Sequence, residues 1–165
     1  LQPLKKSLSK LRRLQRKLAR SKKGGKNRIK LVLEIGELHR KIFNYRQNAL
    51  HQLTNYLTTH FSRIVIEDLN VSGMLKNRKL ARCIADVGFY EFRRLLMYKA
   101  EQRGCEVIVA DRFYASSKTC SYCGEKNEEL KLSDRRWKCP HCGAEIKDRD
   151  FNAAINLRRY TERPD

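Results

Sequence analysis

The chain has 165 residues, 37 of them lysine or arginine and 18 aspartate or glutamate, for a formal charge of +19. That length bounds the answer to one domain of ordinary size with a small appended module, and so high a charge repels itself unless a polyanion is near, which makes nucleic acid the leading partner. No stretch has the apolar length of a bilayer span and no signal peptide opens the sequence, so no membrane partner and a cytosolic, nucleoid-associated location are expected.

Residues 1–30 hold 13 lysines and arginines and no acidic residue, while Leu4, Leu8, Leu11 and Leu18 recur at helical spacing. A second apolar stripe, Leu31, Ile35, Leu38, Ile42, Tyr45 and Ala49, continues to Leu53 and Tyr56. The polar, glycine-containing segment 21–27 lies between them, so the two form a long antiparallel helical hairpin over 1–60. Packing accounts for the leucines. The outer face carries Lys5, Lys6, Arg12, Arg13, Arg16, Lys17, Arg20, Lys22 and Lys23, enough charge for several phosphate contacts.

The β-branched run Arg63–Val71 predicts a buried strand ending in the carboxylates Glu67 and Asp68. Residues 72–86 are a loop with a helical turn. Phe89, Phe92, Leu95 and Leu96 predict a helix that stops at Gly104, and Val107–Ala110 a second buried strand. Strand, helix, strand in that order is a crossover with a parallel pair, hence an α/β core over 61–115.

Four of the six cysteines fall in two tight pairs, Cys120/Cys123 and Cys139/Cys142, each followed by glycine and separated by fifteen residues. Zinc takes four thiolates in a tetrahedron, and each such pair offers two from one turn, so a zinc ribbon is expected over 116–146. With all four positions filled by protein the ion is structural. Trp137 is the ribbon's small apolar anchor and His141 a polar neighbour, not a ligand. Cys83 and Cys105 read as small core residues.

After the ribbon, Asp148 and Asp150 open an apolar helical stretch within 147–165, where helix capping is by itself the better explanation for them. Glu67 alone is only a strand end. Together, however, a strand-end glutamate and a helix-start aspartate supply part of the carboxylate cluster that a two-metal nuclease needs for hard magnesium ions.

The blocks IVIEDLNVSGMLKN, GFYEFRRLLMYKAEQRG, VIVADRFYASSKTCSYCG, LSDRRWKCPHCG and DRDFNAAINL, in this order behind a basic hairpin, resemble the TnpB (OrfB) proteins of insertion sequences, relatives of the type V CRISPR effectors. The resemblance runs over essentially the whole chain. It implies an incomplete RNase H-like (RuvC) fold, magnesium-dependent DNA cleavage directed by a guide RNA, Glu67 and Asp150 as catalytic residues with Asp148 a lesser candidate, and zinc on Cys120, Cys123, Cys139 and Cys142. It also places Arg112, Tyr114, Ser116, Ser117 and Lys118 near the active-site groove, with Arg112 and Lys118 touching phosphates. In that family the first catalytic aspartate lies on a strand upstream of the hairpin, so a chain starting at Leu1 is expected to bind nucleic acid but not to cut it unaided. The alternative is a non-catalytic zinc-ribbon nucleic-acid-binding protein, such as a decayed transposase remnant.

Overall fold

The structure, a computed structural model, describes residues 2–78, 81, 84, 88–131 and 133–160, with side chains from residue 6 onward. Cys83 and the side chains of Leu4 and Lys5 lie outside the described residues. The chain divides into two compact units, Leu1–Tyr56 and Leu57–Asp165.

In the first unit, α1 (Gln2–Arg20) and α2 (Lys26–His60, whose last turn passes into the second unit) form the antiparallel hairpin. Gly24, at φ 77, makes the reversal in a backbone region that other residues rarely adopt. Arg28 reaches back to the Leu18 carbonyl at 2.8 Å and Ser21 Oγ donates to the same oxygen at 2.7 Å, satisfying an α1 end that would otherwise expose it. Lys10 and Glu34 pair across the hairpin at 2.8 Å, and Leu11, Leu14, Leu38 and Ile42 are buried between the helices.

Two expectations change here. Leu14 joins the core although it was not in the predicted stripe, because its position one turn after Leu11 faces the same groove. Beyond Ile42 the second stripe is not covered: Tyr45, Leu53 and Tyr56 are 44–53% exposed. Length explains this, since a helix of 19 residues runs about 28 Å and one of 35 about 52 Å, so α1 cannot cover all of α2.

The second unit begins with β1 (Arg63–Glu67), followed by α3 (Val71–Leu75), α4 (Phe89–Arg103) and β2 (Glu106–Ala110). β1 and β2 pair in parallel, Arg63 opposite Glu106 and Glu67 opposite Ala110, as the strand–helix–strand order requires. The first strand is shorter than predicted: the chain turns at Glu67–Leu69, and Asn70 caps α3 by accepting the Gly73 amide at 3.0 Å, which removes residues 68–71 from the strand. α4 buries Leu95, Leu96 and Ala100, packs against β2, and ends on Gly104 at φ 65.

The remaining elements are β3 (Trp137–Lys138), β4 (Glu145–Ile146), antiparallel and two residues each, and α5 (Arg149–Arg159), which packs against β1. Around the first two, Trp137, Ala144 and Ile146 are the described apolar residues that gather on Cys120 and Cys139. No described helix is long and apolar enough to cross a membrane.

Candidate functional site

The four cysteine sulfurs of the two knuckles all lie within 4.8 Å of one another. Cys120 Sγ is 3.8 Å from Cys142 Sγ, and Cys123 Sγ is 3.7 Å from Cys139 Sγ. A zinc–sulfur bond of about 2.3 Å implies a tetrahedron edge of about 3.8 Å, so the donor set has the size of a four-thiolate site. Backbone holds it. Gly124 N donates to the Cys120 carbonyl and Gly143 N to the Cys139 carbonyl, and both glycines sit at positive φ, 79 and 73, closing each knuckle. The thiols do not ionise alike. Cys139 is pulled down to about 6, because burial is outweighed by the amides of Cys142 and His141 and by neighbouring thiols. Cys123 is pushed up to about 12: the Glu125 amide favours its thiolate, but burial and the other three sulfurs oppose it more strongly together. His141 is exposed and outside the set, as expected.

A buried polar spine joins the first knuckle to the strand end. Arg149, Asn152 and Asn156 form one stripe of α5 and are 2–7% exposed. Asn152 accepts the Ser121 amide at 2.9 Å and donates to the Thr119 carbonyl at 2.7 Å. Asn156 donates to the carbonyls of Thr119 at 2.7 Å and Ser116 at 2.8 Å. Arg149 holds the Lys131 carbonyl and Ser117 Oγ. Ser116, 3% exposed, then donates its hydroxyl to Glu67 Oε1 at 2.6 Å. Asn156→Ala removes two donors from a buried site and is expected to cost about 2 kcal/mol of stability in chemical unfolding of the second unit.

At the carboxyl ends of the two strands, Asp68 pairs with Arg112 at 2.6 Å and Arg93 at 3.0 Å. The Arg112 hydrogen bond, aided by Arg93, holds the Asp68 carboxyl below the usual carboxylate range. These groups line a shallow cleft with Val109, Ala110, Asp111 and Phe113.

The two aspartates of the last helix do different work. Asp148 is the cap of α5, its Oδ1 accepting the amides of Asp150 at 2.8 Å and Phe151 at 3.0 Å. Asp150 lies in the first turn, its carboxylate 81% exposed and 3.4 Å from the equally open Arg135, an ion pair of little energetic weight. Among the described residues the cysteine set is the one group of three or more potential metal ligands brought together, so Glu67 and Asp150 are not gathered with a third carboxylate. Like charges stay apart unless a cation neutralises them.

Of the candidate phosphate contacts, Lys6, Arg12, Arg13, Arg16, Lys17, Arg20, Lys22 and Lys23 are exposed on the hairpin. Arg112 is engaged with Asp68, and Lys118 donates to the Glu128 carbonyl at 3.1 Å. The residues that sequence reasoning missed are Asn152 and Asn156. Two asparagines four apart inside a helix were a usable signal, since that residue is a poor helix former and a costly one to bury without partners.

Two family descriptions match the chain: a probable transposase, OrfB_IS605, over residues 2–78, and the TNB domain of Cas12f1-like proteins over residues 89–157. A Streptomyces pristinaespiralis protein proposed to be an RNA-guided DNA endonuclease is 42% identical over 149 residues, which cover 90% of this chain and 37% of that protein. The CRISPR-associated endodeoxyribonuclease Cas12f1 of Sulfoacidibacillus thermotolerans is 29% identical over 144 residues, covering 87% of this chain and 34% of its own. The chain thus spans well under half the length of these relatives. A solved CRISPR-Cas12f ternary complex matches in fold with a TM-score of 0.70 at 23% identity, over 93% of this chain and 31% of that one.

Proposed function

Because the chain belongs to the OrfB (TnpB) family of insertion-sequence proteins, we propose that it is the RuvC-like nuclease portion of an RNA-guided DNA endonuclease, acting on DNA with a guide RNA as partner. The observation that carries this reading is the strand-end Glu67, oriented by a buried serine beside the helix whose first turn presents Asp150. Magnesium, when bound by these carboxylates, supplies an activated water and neutralises the charge developing on the leaving oxygen. Ser116 occupies Oε1 of Glu67, so the carboxylate's direction is set. Asp148 is committed to its cap, which leaves Asp150 as the aspartate available for a cation. A third carboxylate then comes from outside the described residues.

The same reading accounts for the strands. Ile64–Ile66 and Val107–Val109 are only half-buried. Parallel strands of this composition belong in sheets covered on both faces, as in an RNase H-like fold with further strands beside them. The thiolate tetrad is a structural zinc site, its sulfur spacing being that of a zinc tetrahedron. The hairpin, with Glu34 and Glu37 as its acidic residues before residue 57, is an electrostatic arm for a nucleic-acid backbone. Replacing Arg12, Arg13 and Arg16 with glutamine is expected to weaken DNA binding and to lower the slope of log affinity against log salt by roughly 2 to 3, read by anisotropy titrations across salt concentrations.

One observation favours a second reading, a non-catalytic metal-stapled binder: no trio of carboxylates is assembled among the described residues. The deciding experiment expresses the protein from its whole gene, adds the guide RNA and measures magnesium-dependent cleavage of a matched duplex. Cleavage supports the nuclease. DNA binding with no cleavage at any magnesium concentration supports the binder.

A further inference from the structure

We infer that Phe113 is a stacking platform for an unpaired base of a nucleic-acid strand passing the carboxyl ends of β1 and β2. The inference rests on the nucleic-acid-binding part of the reading above and is independent of catalysis.

Phe113 is 87% exposed, the highest value among the large apolar residues described. A lone exposed phenylalanine is ordinary on a mobile loop, but this one sits on a loop tied down on both sides. Asp111 Oδ1 accepts the Phe113 amide at 2.7 Å, and the Tyr114 amide donates to the Asp111 carbonyl at 3.1 Å. The Asp111 amide in turn donates to the Tyr160 hydroxyl at 3.1 Å. The next residue faces inward: the Tyr114 ring meets the Tyr160 ring edge-on at 4.9 Å, and its hydroxyl donates to the Asn156 carbonyl at 3.2 Å. Two successive aromatics are thus sorted by a fixed turn, one packed onto the last helix and the other held out in water. A ring held out in this way gains little from packing, and the backbone that carries it is already fixed for a flat partner.

Its place says which partner. Phe113 lines the cleft with Asp68, Arg93 and Arg112, past the end of the strand that carries Glu67. Two guanidiniums and two carboxylates, Asp68 and Asp111, leave that cleft close to neutral, so phosphate attraction alone gives a strand little reason to stay there. The chain's +19 charge draws a polyanion to the protein as a whole, and an aromatic face supplies the local, sequence-tolerant grip that the balanced cleft lacks. The arrangement suits single-stranded rather than paired bases, because only an unstacked base has a free face.

The test compares wild type, Phe113→Ala and Phe113→Trp of the full chain, zinc-loaded, for binding to labelled oligothymidylate, oligouridylate and an abasic oligomer of equal length. The alanine variant is expected to lose about tenfold in affinity for the base-bearing strands, to bind the abasic strand as wild type does, and to keep its salt slope; tryptophan restores the affinity. Equal affinities of wild type and Phe113→Ala for the base-bearing strands, or an equal loss on the abasic strand, overturn the inference and leave nucleic-acid binding standing. If the wild type binds none of the three, the nucleic-acid reading falls together with it.

Discussion

Cys139→Ser is expected to release the zinc and unfold residues 116–146, while the hairpin keeps its helicity. Among the described residues this segment has few apolar sources of stability: two strands of two residues and an apolar cluster made of Trp137, Ala144, Ile146 and the cysteines themselves. Full burial of one such side chain contributes about 1.5–3 kcal/mol, whereas a structural zinc contributes on the order of 10–16 kcal/mol. The loss spreads, because α5 docks by Asn152, Asn156 and Arg149 onto backbone groups of residues 116–131 that then have no fixed position. Zinc content by elemental analysis should fall to near zero, and limited trypsin digestion should cut at Lys126, Lys131, Arg135 and Arg136. Chelation of the wild type should do the same. So should acid, since binding requires four thiolates and protons compete for them; Cys123, with its thiol pushed up to about 12, has the proton that only the metal displaces at neutral pH. A chelated protein with an unchanged digestion pattern would show that the thiols are not a metal site.

The second large effect is on chemistry. With the protein expressed from its whole gene and supplied with guide RNA, Glu67→Gln and Asp150→Asn should each lower magnesium-dependent cleavage by about a thousandfold or more, with DNA affinity held within about twofold of wild type. Both substitutions keep size and hydrogen bonding and remove the charge that a hard cation needs. Glutamine at 67 still accepts from Ser116, and asparagine at 150 loses only an exposed pairing with Arg135, so neither should unfold the protein. Asp148→Asn is the informative contrast. Asparagine caps a helix as well as aspartate does, so activity should survive if the cap is the whole of that residue's role. Loss of cleavage in Asp148→Asn but not in Asp150→Asn would reverse the assignment of the two aspartates.

Much of this architecture was legible beforehand for local reasons. Two CxxCG turns at that spacing have one common use, and the sulfurs do converge. The order of strand, helix and strand required a crossover, and β1 and β2 are parallel. Elsewhere the reading was incomplete. A helical period shows which residues lie on one face but not how far a partner helix extends, so Tyr45, Leu53 and Tyr56 were expected to pack and instead stand half-exposed. A β-branched run shows where a strand starts, but the Asn70 cap, a competing local structure, ended it four residues early. Ser116 was placed near the groove in the loop before the cysteine knuckles, without a partner, and the structure turns it inward to Glu67.

The amino-acid order by itself determined the cysteine tetrad, the basic hairpin, the parallel strand pair with its crossover helix, and the acidic residues at the element ends. Each of these follows from spacing within a few residues, where backbone geometry translates sequence directly into position. Only the tertiary structure decided which polar groups meet. Ser116 and Glu67 are 49 residues apart, and Asn156 and Ser116 are 40. No local period relates such pairs. They are joined because α5 packs against β1 and the buried amides and carbonyls of the first knuckle must find partners once water is excluded.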